Sequence, residues 1–103
     1  MQRSLEIRKA AGRPIVALRG DIDLAVADEV GDLLKNQVAL GGPVLVDCSG
    51  VAFIDSRGLS ALICARYSAV QASVSFQLLN VPEPMHRVMR AAGIDDLFAL
   101  ADR

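Results

Sequence analysis

The fold turns on the stretch Val44-Leu45-Val46-Asp47-Cys48-Ser49-Gly50-Val51-Ala52-Phe53-Ile54-Asp55-Ser56-Arg57-Gly58-Leu59-Ser60-Ala61. Its first residues, Val44 to Val46, form a short apolar run ending at Asp47, the pattern of a buried strand. Ser49 and Gly50 suggest a turn. Asp55-Ser56-Arg57-Gly58 then leads into Leu59, Leu62, Ile63 and Val70, which are spaced as one face of a helix. Truncating one of these core positions to Ala is expected to cost roughly 2–5 kcal/mol. Ser56 is thereby placed at a helix N-terminus, where free backbone N–H groups and the helix dipole favour an added anion. That position suits a serine switched by phosphorylation. It equally suits a plain N-cap, whose loss costs about 1 kcal/mol. Gly58, inside the first helical turn, costs about 0.5–1 kcal/mol relative to Ala. Either close packing against a neighbouring segment or close approach by another molecule would offset that cost.

Outward from this stretch the elements alternate without a linker or repeat. Leu5-Glu6-Ile7-Arg8 alternates as a half-exposed strand, Gly12-Arg13-Pro14 turns the chain, and Ile15 to Leu18 reads as an antiparallel partner. Ala27, Val30, Leu34 and Val38 make a helical stripe that Gly41-Gly42-Pro43 terminates. After the central strand and second helix, Val74, Phe76 and Leu78 alternate with polar residues. Pro84 opens a third helix carrying Met85, Val88, Met89 and Ala92 on one face, with Gly93 at its end. The order β-β-α-β-α-β-α predicts one α/β domain over residues 1–103. Its mixed sheet of four to five strands begins with a hairpin and packs against three to four helices.

The composition excludes several classes. With 103 residues the chain is long enough for one core without staples. It has no Trp and 4% aromatic residues, so Val, Leu, Ile and Ala must fill that core. The formal net charge of -1 gives no basic footprint for nucleic acid. No apolar run approaches the roughly 18 residues that span a bilayer, so no direct membrane insertion is expected. The Met1-Gln2-Arg3-Ser4 start is no signal peptide, which makes the cytoplasm the expected location. Cys48 and Cys64 form no CxxC, pointing away from metal or disulfide use and toward small buried or half-buried side chains. No cofactor is expected.

Five acids (Asp21, Asp23, Asp28, Glu29 and Asp32) and no base lie between Asp21 and Asp32. Asp23 is a natural N-cap for the first helix. If the strands before Asp23 and Ser56 are neighbours, both residues lie on one edge of the sheet. A nucleophile elbow would require Gly two positions before Ser56, where Ile54 stands. A receiver-type reading of Asp47 fails for want of a late-strand lysine, since the only lysines are Lys9 and Lys35. No enzyme class fits, and Asp47 is read as holding the loop that carries Ser56.

Asp55-Ser56-Arg57-Gly58-Leu59, preceded by Val51-Ala52-Phe53-Ile54, resembles the signature of the STAS domain, the fold of bacterial anti-sigma factor antagonists. Gly20-Asp21-Ile22-Asp23-Leu24 resembles the family's early strand-end turn, and Ala91-Ala92-Gly93-Ile94-Asp95-Asp96-Leu97-Phe98 its closing segment. Ser60 stands where many members carry glycine, and Arg57 is bulkier than the usual residue after the serine. Ten residues follow Gly93, too few for the extra C-terminal helix of many antagonists.

The resemblance implies a binding module whose partner is an anti-sigma factor with serine kinase activity. That partner would be bound while Ser56 is unmodified and released on phosphorylation of Ser56, and a phosphatase acting on phosphoserine would reset the switch. The implied partner surface comprises Asp21, Asp23, Asp55, Ser56, Arg57, Gly58, Ser60 and Cys64. The same resemblance admits a cytoplasmic subunit of a membrane lipid or anion transporter, or a component of a stress-signalling assembly.

Overall fold

Five strands line up in the order in which the chain makes them, β1-β2-β3-β4-β5, so every connection leads to the next strand along the sheet. The computed structural model describes residues 5–10 and 12–101. The Met1–Ser4 start discussed above lies outside these. β1 (Leu5–Ala10) and β2 (Arg13–Ile22) form an antiparallel hairpin with Leu5 opposite Leu18. The remaining pairs are parallel. Parallel neighbours need a crossover, and helices supply each one. These are α1 (Leu24–Ala39) before β3 (Val44–Ile54), α2 (Ser56–Gln71) before β4 (Phe76–Leu79), and α3 (Glu83–Ala91) before β5 (Ala99–Ala101). The mixed α/β sheet with an opening hairpin matches expectation, with five strands and three helices among the described residues.

The register explains the core. Val16 pairs with Val46, Val46 with Leu78, and Val44 with Phe76, so these side chains share one face. All five are buried, as are Val30, Leu34 and Val38 of α1 and Met85 and Met89 of α3. Alternation sends Glu6, Ile15, Ala17 and Asp47 to the opposite face. Ile15 and Ala17 are buried there but stand outside the main core cluster.

Several boundaries differ from the sequence reading. β3 does not turn at Ser49-Gly50. It runs to Ile54, pairing with β4 from Val44 to Asp47 and with β2 from Val46 to Ile54. Two register shifts, between Ala17 and Arg19 and between Gly20 and Asp21, each place one extra residue on β3. Such bulges twist a strand and re-aim its side chains. They leave Ser49, Gly50, Ala52 and Phe53 exposed within a strand. β2 likewise continues past Leu18 to Ile22.

In α2 the buried stripe is Leu59, Leu62, Ala65 and Ala69. Val70 is 56% exposed and Ile63 only partly buried, because the helix turns its alanines rather than its larger C-terminal residues to the core. α3 starts at Glu83 with Pro84 as its second residue, and Ala92 is its exposed C-cap. Gly93 follows at φ +74, the left-handed conformation that ends helices at glycine. Val74 precedes β4 rather than belonging to it.

Candidate functional site

The ends of β2 and β3 lie side by side, with Ile22 opposite Ile54. Both strands stop there and both hand over to a helix within two residues. Asp23 is the N-cap of α1, its carboxylate accepting the Ala25 N–H at 3.1 Å. Asp55 is the N-cap of α2 and accepts the N–H groups of Arg57 and Gly58, each at 2.9 Å. The two helix starts are stitched together by the Asp55 N–H, which donates to the Ile22 carbonyl at 3.3 Å. Asp23 and Ser56 therefore do lie on one edge of the sheet.

Ser56 itself is not the cap. It is the first helical residue and its side chain is exposed. The N–H groups expected to be free for an anion are partly engaged, since Asp55 already holds those of Arg57 and Gly58. What remains at Ser56 is the positive end of the helix dipole, with the Asp55 carboxylate next to it.

Gly58 is explained by packing. A Cβ there would run into the Ile22 carbonyl oxygen and come within 2.8 Å of the Ile54 Cγ1. The glycine is what lets α2 start flush against the end of β2, which decides between the two roles left open for it.

Beyond the first turn, Arg57, Ser60 and Cys64 of α2 face Asp28, Asp32 and Lys35 of α1 across a groove of about 200 Å³. The helices approach closely because small residues meet: a Cβ on Gly31 would lie 3.8 Å from that of Ala61. Asp21 is exposed at the end of β2. Asp28 and Asp32 of α1 thus sit beside the first turns of α2, and Asp21 lies opposite Phe53, two residues before Asp55. Cys64 is exposed rather than half-buried, in keeping with its place on the outward side of α2. Cys48 is buried, and burial together with the neighbouring Asp47 charge pushes its thiol pKa up to about 12.

Two exposed apolar residues border this edge and were missed in the sequence: Leu24, 63% exposed, and Phe53, 52% exposed. Leu24 is the first residue of α1, one turn before the buried Ala27. Phe53 lies in β3 directly after the second register shift.

Asp47 does not hold the Ser56 loop. It lies nine residues before Ser56 on β3, buried, where it pairs with Arg8 and accepts the Ser49 N–H at 3.0 Å and the Asn80 side-chain amide at 3.3 Å. Burial alone would raise its pKa, but the hydrogen bonds from Ser49, Asn80 and Arg8 hold it below the usual carboxylate range.

A family model described as "Mlab, STAS domain" matches residues 5–100. The chain belongs to the STAS family. The STAS fold extends to solved structures of low sequence identity. An anti-sigma factor antagonist from Mycobacterium paratuberculosis is 22% identical, with a TM-score of 0.79 over 93% of this chain and 82% of that one. The Bacillus cell fate determinant SpoIIAA in its phosphorylated form is 14% identical, with a TM-score of 0.73 over 96% of this chain and 90% of that one. The murine anion transporter Slc26a9 is 19% identical, with a TM-score of 0.71 over 86% of this chain but 15% of that protein. At these identities the STAS fold is what is shared. Among the described residues no helix is long and apolar enough to cross a membrane, and no group of three or more His, Cys, Asp or Glu is placed to hold a metal ion.

Proposed function

We propose that this STAS domain is an anti-sigma factor antagonist controlled by phosphorylation of Ser56. The observation that carries the reading is that Ser56 stands exposed at the first position of α2 while Asp55 does the capping. Its hydroxyl is thus left to a partner. The proposed contact surface joins Asp21, Asp23, Asp55, Ser56, Arg57, Ser60 and Cys64, with Gly58 buried beneath as the packing residue. It binds a cytoplasmic anti-sigma factor with serine kinase activity, and a phosphatase acting on phosphoserine resets it. The domain acts by binding and needs no catalytic residue of its own.

The switch is electrostatic. A phosphate on Ser56 brings about -1.5 to -2 charges to a surface that already presents Asp55 and Asp23. The helix dipole tolerates that charge in the free domain. A partner fitted to a neutral hydroxyl would have to desolvate it, at a cost of several kcal/mol. That an anti-sigma factor antagonist of the same fold has been solved in a phosphorylated form supports the reading.

Isothermal titration with a serine-kinase anti-sigma factor from the same host tests it, using the parent, Ser56→Ala and Ser56→Glu. Ser56→Ala should bind like the parent, and Ser56→Glu at least about tenfold more weakly, the cost of burying one unmatched charge. Equal affinities for all three would sink the switch. The likeness to an anion transporter's domain favours a second reading, a transporter subunit, in which Ser56→Ala is silent in transport and only loss of the contact face matters.

A further inference from the structure

The six-residue β1 is the longer rim of the sheet; β5, at the other rim, has three residues. Among the described residues β1 pairs with β2 on one side only, and its register runs unbroken from Leu5 to Ala10. Edges that must stay single are blunted by proline, a bulge or charged side chains, lysine above all. β1 has no proline and no register shift; it carries Lys9 near its end, and its other charges, Glu6 and Arg8, have opposite signs and flank Ile7. Ile7 is 46% exposed. Beside it, a groove of about 520 Å³ opens between β1 and α1, lined by Leu5, Ile7 and Leu33 with Glu29 and Asp32 at its rim.

We propose that two copies of this chain join their sheets across β1, antiparallel, with the two-fold axis at Ile7. In that register Ile7 stands opposite Ile7, and Glu6 of each copy, paired with Arg19 of its own chain, stands opposite Arg8 of the other, paired with its own Asp47, so that the charges alternate in sign across the joined sheets. Directly opposed unlike charges attract and like charges repel, so the edge is complementary to itself in this one register. Each one-step shift breaks it, because side chains then change faces. The occupant of the β1 edge is therefore a second copy rather than an unrelated strand. The arrangement leaves the Asp23–Ser56 edge free, since β1 reaches along β2 only to Leu18. It stands independently of the role given to Ser56.

Sedimentation velocity over a concentration series should show a reversible dimer. Ile7→Lys sets two ammonium groups face to face on the axis and should weaken association by about tenfold or more. Its melting temperature should stay near the parent's, because the position is half exposed. Val70→Lys, at a site 56% exposed beside Phe76 and Phe98 toward the other rim of the sheet, should leave association unchanged. In a Cys64→Ser background, Ile7→Cys should cross-link into a covalent dimer on mild oxidation, because residues directly opposed across an antiparallel pair are close enough for a disulfide. A monomer at every concentration, an association that Ile7→Lys leaves intact, or no cross-link would each overturn the proposal.

Discussion

The two helix starts at the sheet edge use the same cap and build different surfaces. Asp23 and Asp55 have nearly the same extended backbone, with φ and ψ of -122 and -170 in one and -107 and -175 in the other. Each turns its carboxylate onto the N–H groups of the turn that follows. The first helical residue is Leu24 in α1 and Ser56 in α2, and the third is Val26 against Gly58. At α1 the chain places a half-buried valine against the core. At α2 it gives up that contact for glycine, so that the helix abuts the Ile22 carbonyl. Capping physics is satisfied by the aspartate in both. The serine and the glycine of α2 therefore answer to something else, the glycine to packing and the serine to what lies outside the domain.

Gly58→Ala breaks the comparison most severely. The added methyl meets backbone oxygen rather than a movable side chain, so it should cost about 3 kcal/mol, at the upper end of overpacking effects. Val26→Ala at the matching position of α1 removes only partly buried methyl groups and should cost about 1 kcal/mol. Urea unfolding of both variants checks the asymmetry. Equal costs would show that the α2 start is not held against Ile22.

A second contrast sets Asp55 against Asp47, since each accepts the N–H two residues ahead. Asp47 does so in a buried site that also engages Arg8 and Asn80. Its folded pKa is lowered, so the stability it supplies is present above the unfolded carboxylate pKa, near 4, and is lost as pH falls through the folded value. Asp47→Asn should cost about 2 kcal/mol at neutral pH by unpairing the network. It should also flatten the acid limb of a stability–pH curve measured below pH 4. A mutant curve parallel to the parent's would remove Asp47 from the acid response.

The caps come next. Asp55→Ala frees two N–H groups and should cost about 1–2 kcal/mol, while Asp23→Ala frees one and should cost about 0.5–1 kcal/mol. Thermal melts of the pair rank them, and the reverse order would mean that Asp23 is held by more than its cap.

The fold was legible in the sequence wherever one periodicity had no rival. The Ala27–Val30–Leu34–Val38 stripe and the order of the elements through α3 needed only local patterns, whereas β5, three residues long, left none. What escaped depended on a neighbour. The bulges of β3 exist only against β2, so Ser49-Gly50 looks like a turn and nothing local marks Phe53 as exposed. Val70 falls on a helical spacing from Ile63 that the tertiary contacts do not use. They take the small Ala65 and Ala69 instead. Asp55 and Ser56 are both good cap residues in adjacent positions, and one step along the chain changes which of them is free. The resemblance of Asp55-Ser56-Arg57-Gly58-Leu59 located the site. Only the hydrogen bonds divided the labour within it.

The smallest expected effect tests that division most directly. Were Ser56 the cap, Ser56→Ala would cost about 1 kcal/mol. With Asp55 capping, the exposed hydroxyl of Ser56 takes no part in any hydrogen bond found among the described residues. Alanine is also the better helix former, by a few tenths of a kcal/mol. Ser56→Ala should therefore melt within about 0.5 kcal/mol of the parent, on the stable side if anywhere. Ser56→Glu should be equally mild, because a carboxylate in the first turn gains about 0.3–1 kcal/mol from the dipole and loses part of that to the charge of Asp55. Paired with the titrations, the melts separate two meanings of one residue. A Ser56→Ala protein that unfolds easily would return the serine to the cap. One that is as stable as its parent and still binds leaves the hydroxyl with no structural duty, so any loss of affinity in Ser56→Glu reports the contact surface and not the fold.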